Sequence, residues 1–189
     1  AAVKVQIRDD SPNSAYTWPV VEGTFLLSAD PPEACPIVPD ALPKPRSVHW
    51  TDRDIYPDRL PYGESLRLVR KADVWSEAGL DYEVEVPPLA DVVAYTRFPI
   101  WVLNPLLLEG VISGFSLWRA HERFVGAFSM PFRLRRLVLH AASFAEGARL
   151  RCYLRLTSVT PRSHLCDILV SDGNGNLLVE FRGWEELTE

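Results

Sequence analysis

Between residues 103 and 121 the apolar positions recur at helical rather than alternating spacing. Leu107, Leu108, Val111, Ile112, Phe115 and Trp118 fall on one broad face, and a face that apolar has to be buried against something large. Asn104 followed by Pro105 marks the start: an N-cap side chain that accepts a backbone N–H, then a first helical residue that needs no donor. The pattern predicts one helix over about residues 104–120, with Leu108, Ile112 and Phe115 buried against a sheet. The second face carries Leu106, Glu109, Ser113 and Ser116, which is neither a charged solvent face nor plain core. Glu109 and Ser113 are four residues apart and lie one above the other, so this face is a candidate reactive surface.

The rest of the chain reads as strands. VKVQI and TWPVVEGTFLLS form two strands near the start. Residues 28–50 then carry six prolines, which remove backbone donors and bias their neighbours away from helix; a stretch this long without periodicity reads as a linker crossing a surface. Strands are predicted at about residues 65–75 and 80–86, with Ala78-Gly79 as the turn, and ADVVAYT is a further β-like stretch. Beyond the helix, FRLRRLVLH, ARLRCYLRLTSV, SHLCDILVSD and NLLVEFRGW read as a four-strand meander. Leu150, Cys152, Leu154 and Leu156 alternate with Arg149, Arg151, Tyr153 and Arg155, which makes one face buried and the other wet. Asp172-Gly173-Asn174-Gly175 is a hairpin turn, because glycine and asparagine tolerate positive φ. The predicted fold class is α+β, an antiparallel sheet curled around one long central helix.

Composition narrows the function. With 189 residues, 47% of them hydrophobic, the chain has enough for one domain with a real core. A net charge of -5 and the lack of a dense Lys/Arg run argue against nucleic acid or an anionic membrane as partner. No apolar run reaches membrane-spanning length and AAVKVQIRDD has no signal-peptide core, so a soluble, cytoplasmic protein is expected. Cys35, Cys152 and Cys166 are odd in number and lack metal-ligand spacing, which favours reduced thiols over disulfides or zinc. His164 and Cys166 share a strand face, but no third ligand accompanies them.

The order of Tyr56, Tyr62-Gly63, NPLLLEGVIS, a basic strand and DILVSDGNGNLLVEFRGW resembles the dehydratase domains of polyketide and related polyunsaturated fatty-acid synthases. The resemblance covers about residues 50–187 and is mainly to the second half of their double hotdog fold. It implies a division into 1–27 (the end of a first hotdog), 28–50 (linker) and 51–189 (a hotdog domain). YGESL would stand at the family's Tyr-Gly-Pro-x-Phe element, and NPLLLEGVIS at its His-Pro-x-x-x-Asp-x-x-x-Gln/His helix. The resemblance thus implies Glu109 in the place of the catalytic acid, with Tyr62, Gly63, Asn104 and Ser113 as substrate-binding positions. It implies no cofactor beyond the phosphopantetheine arm of a carrier, and as partners an acyl carrier protein and neighbouring synthase domains.

Three departures matter. Glu109 replaces Asp, Asn104 replaces the motif His, and Ser113 replaces Gln or His. The family's catalytic histidine comes from a His-x-x-x-Gly-x-x-x-x-Pro motif, and none of His49, His121, His140 or His164 has that context. Dehydrating a 3-hydroxyacyl thioester needs a base for the α-proton and an acid for the leaving hydroxyl, held in register. A single carboxylate whose place near a helix start favours its anion supplies half of that, so the pattern predicts a degenerate module that organises a synthase or binds carrier-bound intermediates. The alternatives are an active dehydratase whose base is supplied elsewhere, and a hotdog thioesterase or acyl-binding protein. Hotdogs commonly pair, so a homodimer would substitute for an absent first half. Residue by residue the plainer readings are a solvated or paired Glu109, serines that allow close packing, a simple turn at Tyr62-Gly63, a strand-end His140 and a solvated strand face at Arg133, Arg135 and Arg136. That basic face is also a candidate docking surface for an acidic carrier.

Overall fold

The computed structural model describes residues 1–8, 21–26, 35–56, 58–88, 104–121, 129–141 and 143–188. The chain forms two compact units, Ala1–Pro31 and Pro32–Glu189. In the first, β1 (Ala2–Ile7) and β2 (Val21–Leu26) pair antiparallel with Ala2 opposite Leu26. Most of their side chains are exposed.

In the second unit the order is β3 (Arg46–Thr51), the short α1 (Asp52–Ile55), a 3-10 turn (Glu64–Leu66), β4 (Val69–Ser76), β5 (Gly79–Glu85) and the long α2 (Pro105–Arg119). After it come β6 (Ser129–Leu139), β7 (Arg149–Val159), β8 (Ser163–Ser171) and β9 (Leu177–Thr188). The strands make one antiparallel sheet in the order β3-β4-β5-β7-β8-β9-β6. Helix α2 packs on this sheet, and their shared interior includes Phe115, Tyr82, Leu154, Ile168 and Phe181, all essentially without solvent contact.

Helix α2 is fixed at both ends. The Asn104 side chain accepts from Leu106 N–H at 3.0 Å and Leu107 N–H at 3.2 Å, satisfying two of the donors that a helix start leaves open. At the other end the indoles of Trp75 and Trp118 exchange bonds with the opposite backbone, Trp75 Nε1–H to Trp118 O at 3.2 Å and Trp118 Nε1–H to Ser76 O at 2.8 Å. In between, Gly110 and Gly114 bring the helix backbone against Leu68 and Tyr82. A methyl group on Gly110 would sit 2.8 Å from Leu68 Cβ, and one on Gly114 would collide with the Tyr82 ring. Tyr82 Oη donates to the Val111 carbonyl.

This close approach turns the helix relative to the face read from the sequence. Leu107, Val111, Phe115 and Trp118 are buried as predicted, but Leu108 and Ile112 are only half-buried, because the two glycines seat the helix on their own side.

The strands differ from the sequence reading in three further places. Residues 46–50, assigned to the linker, form most of β3; past Pro45 the backbone donors return, and Arg46, Ser47, Trp50 and Thr51 pair with β4. The described part of the proline stretch before them, residues 35–45, has no regular element, only an isolated bridge from Pro36 to Asn176. The strand expected from residue 65 begins at Val69, because the turn composition around Tyr62-Gly63 runs on into the 3-10 turn closed by Arg67 N–H to Glu64 O. The four last strands are not a simple meander. Strand β6 pairs with β9, since the 140–148 connection is too long for a tight hairpin and β7 goes to the free edge of β5. The ADVVAYT stretch lies outside the described residues. The hairpin at Asp172 forms as expected: its Oδ1 accepts from Asn174 N–H and Asn176 N–H, both at 2.9 Å, and Gly175 takes φ 84°.

Candidate functional site

Because α2 rests on its glycine side, the face bearing Glu109, Ser113 and Ser116 is turned along the sheet rather than into it. Together with Tyr62, Ile112, Ser129, Pro131 and Glu186, these three residues line a cavity of about 240 Å³. The Ser113 hydroxyl donates to the Glu109 carbonyl at 2.6 Å, one helical turn back. Tyr62 lines the cavity together with Ser113 and Ser116. Burial pushes the Tyr62 phenol above its ordinary value, the nearby hydroxyls of Ser113 and Ser116 oppose this, and the carboxylates of Glu109 and Glu186 add to the rise.

Glu186 enters from β9 and is only 4% exposed. Ser129 Oγ–H donates to its Oε2 at 2.7 Å and Trp184 Nε1–H to its Oε1 at 3.0 Å. Burial raises the Glu186 carboxyl above its ordinary range; the bonds from Ser129 and Trp184 and the charge of Arg119 oppose this, while the charge of Glu109 reinforces it. The cavity therefore holds two carboxyls, three serine hydroxyls and one phenol: proton-carrying groups without a thiol nucleophile.

Of the residues singled out from the sequence, Glu109, Tyr62 and Ser113 come together here. Gly63 and Asn104 do not line the cavity. Gly63 is exposed, with open space where a side chain would begin and an ordinary φ of −62°, and starts the 3-10 turn. Asn104 is buried and its side chain is committed to structure, capping α2 with its oxygen and donating Nδ2–H to Pro87 O at 3.1 Å. Tyr56, part of the same sequence resemblance, is likewise structural: its hydroxyl accepts from Val69 N–H at 3.1 Å, and burial pushes its phenol up to about 12.

The sequence reading missed Glu186 and Ser129, and it left Ser116 without a role. The signal for Glu186 was Gly183. Strict alternation along β9 from the buried Leu177, Val179 and Phe181 would turn Glu186 outward. Instead β9 holds an extra residue between the pairs Cys166–Trp184 and Ile168–Phe181, with Gly183 at φ 65°. Such a bulge reverses the parity of the residues beyond it, so Trp184 and Glu186 point inward. A lone glycine inside a strand pattern is the usual mark of such a bulge.

One long helix packed on a seven-stranded antiparallel sheet is a hotdog fold, and solved structures bear this out. The chain superimposes on the dehydratase domain of the CurJ module of curacin polyketide synthase with a TM-score of 0.55 and 17% identity, over 71% of this chain and 45% of that one. For the dehydratase domain of RzxB from Pseudomonas fluorescens the values are 0.59, 16%, 87% and 55%. For a trans-AT polyketide synthase dehydratase domain from Brevibacillus brevis they are 0.60, 19%, 75% and 49%. The chain thus spans about half the length of these structures. No curated protein matches it in sequence. The family described as "Polyketide synthase dehydratase N-terminal domain" matches residues 45–185, about the span over which the sequence resemblance ran. The chain belongs to the polyketide synthase dehydratase family. That description names the N-terminal domain, whereas the motif on α2 resembles the family's second hotdog.

Proposed function

We propose that this chain supplies the second hotdog of a polyketide synthase dehydratase, a module that binds the acyl end of a carrier-bound 3-hydroxyacyl thioester and does not dehydrate it alone. The observation that carries the reading is Glu109, which stands at the acid position of the α2 motif and lines a cavity together with Tyr62 and Ser113. The cavity, about 240 Å³, is below the roughly 300–1,000 Å³ of sites that enclose a drug-sized ligand. It suits a short acyl end, with the pantetheine arm of the carrier outside.

In dehydration a base removes the α-proton, its electron pair forms the C2–C3 double bond, the C3–O bond breaks, and an acid protonates the departing oxygen to give water. Glu109 is the candidate for the last of these. The histidine motif that would supply the base is not in this sequence, so in this reading the base comes from a partner hotdog. Strand β6 is its natural seat: it ends the sheet, no strand among the described residues pairs with its outer edge, and Met130 and Phe132 are more than half exposed on it. That partner hotdog is either the first half of the same domain or a second copy of this chain. The acyl carrier protein and neighbouring synthase domains, in the cytoplasm, complete the setting.

Calorimetric titration with 3-hydroxybutyryl-pantetheine tests the reading. Binding is expected, and Ser116→Trp, which fills the cavity, should abolish it while circular dichroism shows an intact fold. Equal affinity in Ser116→Trp would sink the assignment of the cavity.

A further inference from the structure

The dehydratase reading uses one carboxyl of the cavity and leaves the other, Glu186, without a task. Glu186 is anchored rather than free to swing into solvent. It is 4% exposed, each carboxyl oxygen is held by one donor, Ser129 or Trp184, and its strand register is set by the bulge at Gly183. It lines the same cavity as Glu109.

We propose that Glu186 is the second working carboxyl of this cavity and recognises the hydroxyl of the 3-hydroxyacyl group, an inference that rests on the acyl-binding reading above. The groups around it decide what it offers. Glu109 and Arg119 face it from α2, His164 lies opposite it on β8, Ser129 comes from β6, and Tyr62 from the loop before the 3-10 turn. Burial favours the neutral acid, against the bonds from Ser129 and Trp184 and the cation Arg119. A neutral carboxyl has an O–H to donate as well as an oxygen that accepts. A substrate hydroxyl can use both. An acyl group without that hydroxyl leaves the buried donor unpaired, and sites built this way discriminate strongly between a ligand and its deoxy analogue. Glu109, on the neighbouring helix, is thereby left for the proton-transfer role.

The test is the ratio of affinities for 3-hydroxybutyryl-pantetheine and butyryl-pantetheine, measured by calorimetry on the wild-type chain, Glu186→Gln and Glu186→Ala. Gln is neutral and still donates and accepts, so it imitates the protonated acid. The wild type is expected to prefer the hydroxyacyl ligand by roughly tenfold or more, Glu186→Gln to keep that preference as the pH is raised, and Glu186→Ala to lose it while still binding both ligands. A preference that survives in Glu186→Ala would overturn the proposal, as would its complete loss in a folded Glu186→Gln. Should the wild type bind neither ligand, the acyl-binding reading itself falls, an outcome distinct from binding without discrimination.

Discussion

The backbone N–H of Gly183 donates to Asp167 Oδ1 at 2.8 Å, so the group that the bulge removes from the β8–β9 ladder is satisfied by a side chain on the neighbouring strand. The pairing matters because the bulge sets which face of β9 carries Glu186. Asp167 also accepts from Arg182 at 3.0 Å, which ties both residues of the irregular step to one carboxylate.

Gly183→Ala should therefore be destabilising. At φ 65° a side chain is strained, and a methyl group would sit 2.6 Å from Arg135 Cδ. The expected cost is about 1–2 kcal/mol from the left-handed backbone alone, read as a lower urea midpoint. An unchanged midpoint would show that β9 does not need this bulge.

The seat of α2 makes a second prediction. Gly114→Ala forces the helix away from the Tyr82 ring and should cost about 1–3 kcal/mol by overpacking. Phe115→Ala, at a side chain with 0% exposure, should cost about 3–5 kcal/mol through lost burial and the cavity left behind. Denaturant unfolding checks both, and a Gly114→Ala protein as stable as wild type would contradict the close packing.

Asn104 separates a structural role from a binding role. Asn104→Ala removes the α2 cap and the bond to Pro87 O, at an expected cost of about 0.5–2 kcal/mol for the cap. Affinity for 3-hydroxybutyryl-pantetheine, measured on the folded fraction, should not change. A large loss of affinity without loss of stability would restore Asn104 to the site.

Stability should depend on pH through Glu186. Its carboxyl lies above the ordinary value of 4.5 in the folded state, so the protein binds this proton more tightly when folded than when unfolded. Its contribution is complete at pH below the unfolded value and fades as pH rises through the folded one. Relative to wild type, Glu186→Gln should therefore gain stability as pH rises from acid to neutral. Parallel stability curves for the two proteins would show that the carboxyl is not held in its neutral form.

Much of this architecture was legible in the chain because it rests on local chemistry. Asn104-Pro105 starts α2 where the capping pattern places it, the Asp172–Gly175 turn closes its hairpin, and β7 buries Leu150, Cys152 and Leu154 as its alternation requires. The features that escaped depend on contacts distant in sequence. The place of β6 beside β9 comes from competition for the edge of β5. The turn of α2 away from Leu108 and Ile112 comes from Gly110 and Gly114 meeting Leu68 and Tyr82. The site was half visible. Glu109, Ser113 and Ser116 share a helix face in any helical reading, whereas Glu186 reaches them only because one glycine shifts the parity of a strand that is otherwise regular.

The most direct measurement is mass spectrometry of an acyl carrier protein loaded with a 3-hydroxyacyl group and incubated with this chain alone. A positioned base contributes about 10²–10⁴-fold to such a proton transfer, and orientation between the two groups contributes further. The expected result is binding of the loaded carrier with no loss of water from the acyl group. Loss of water that is abolished by Glu109→Gln would contradict it, and would mean that a base acts within this chain.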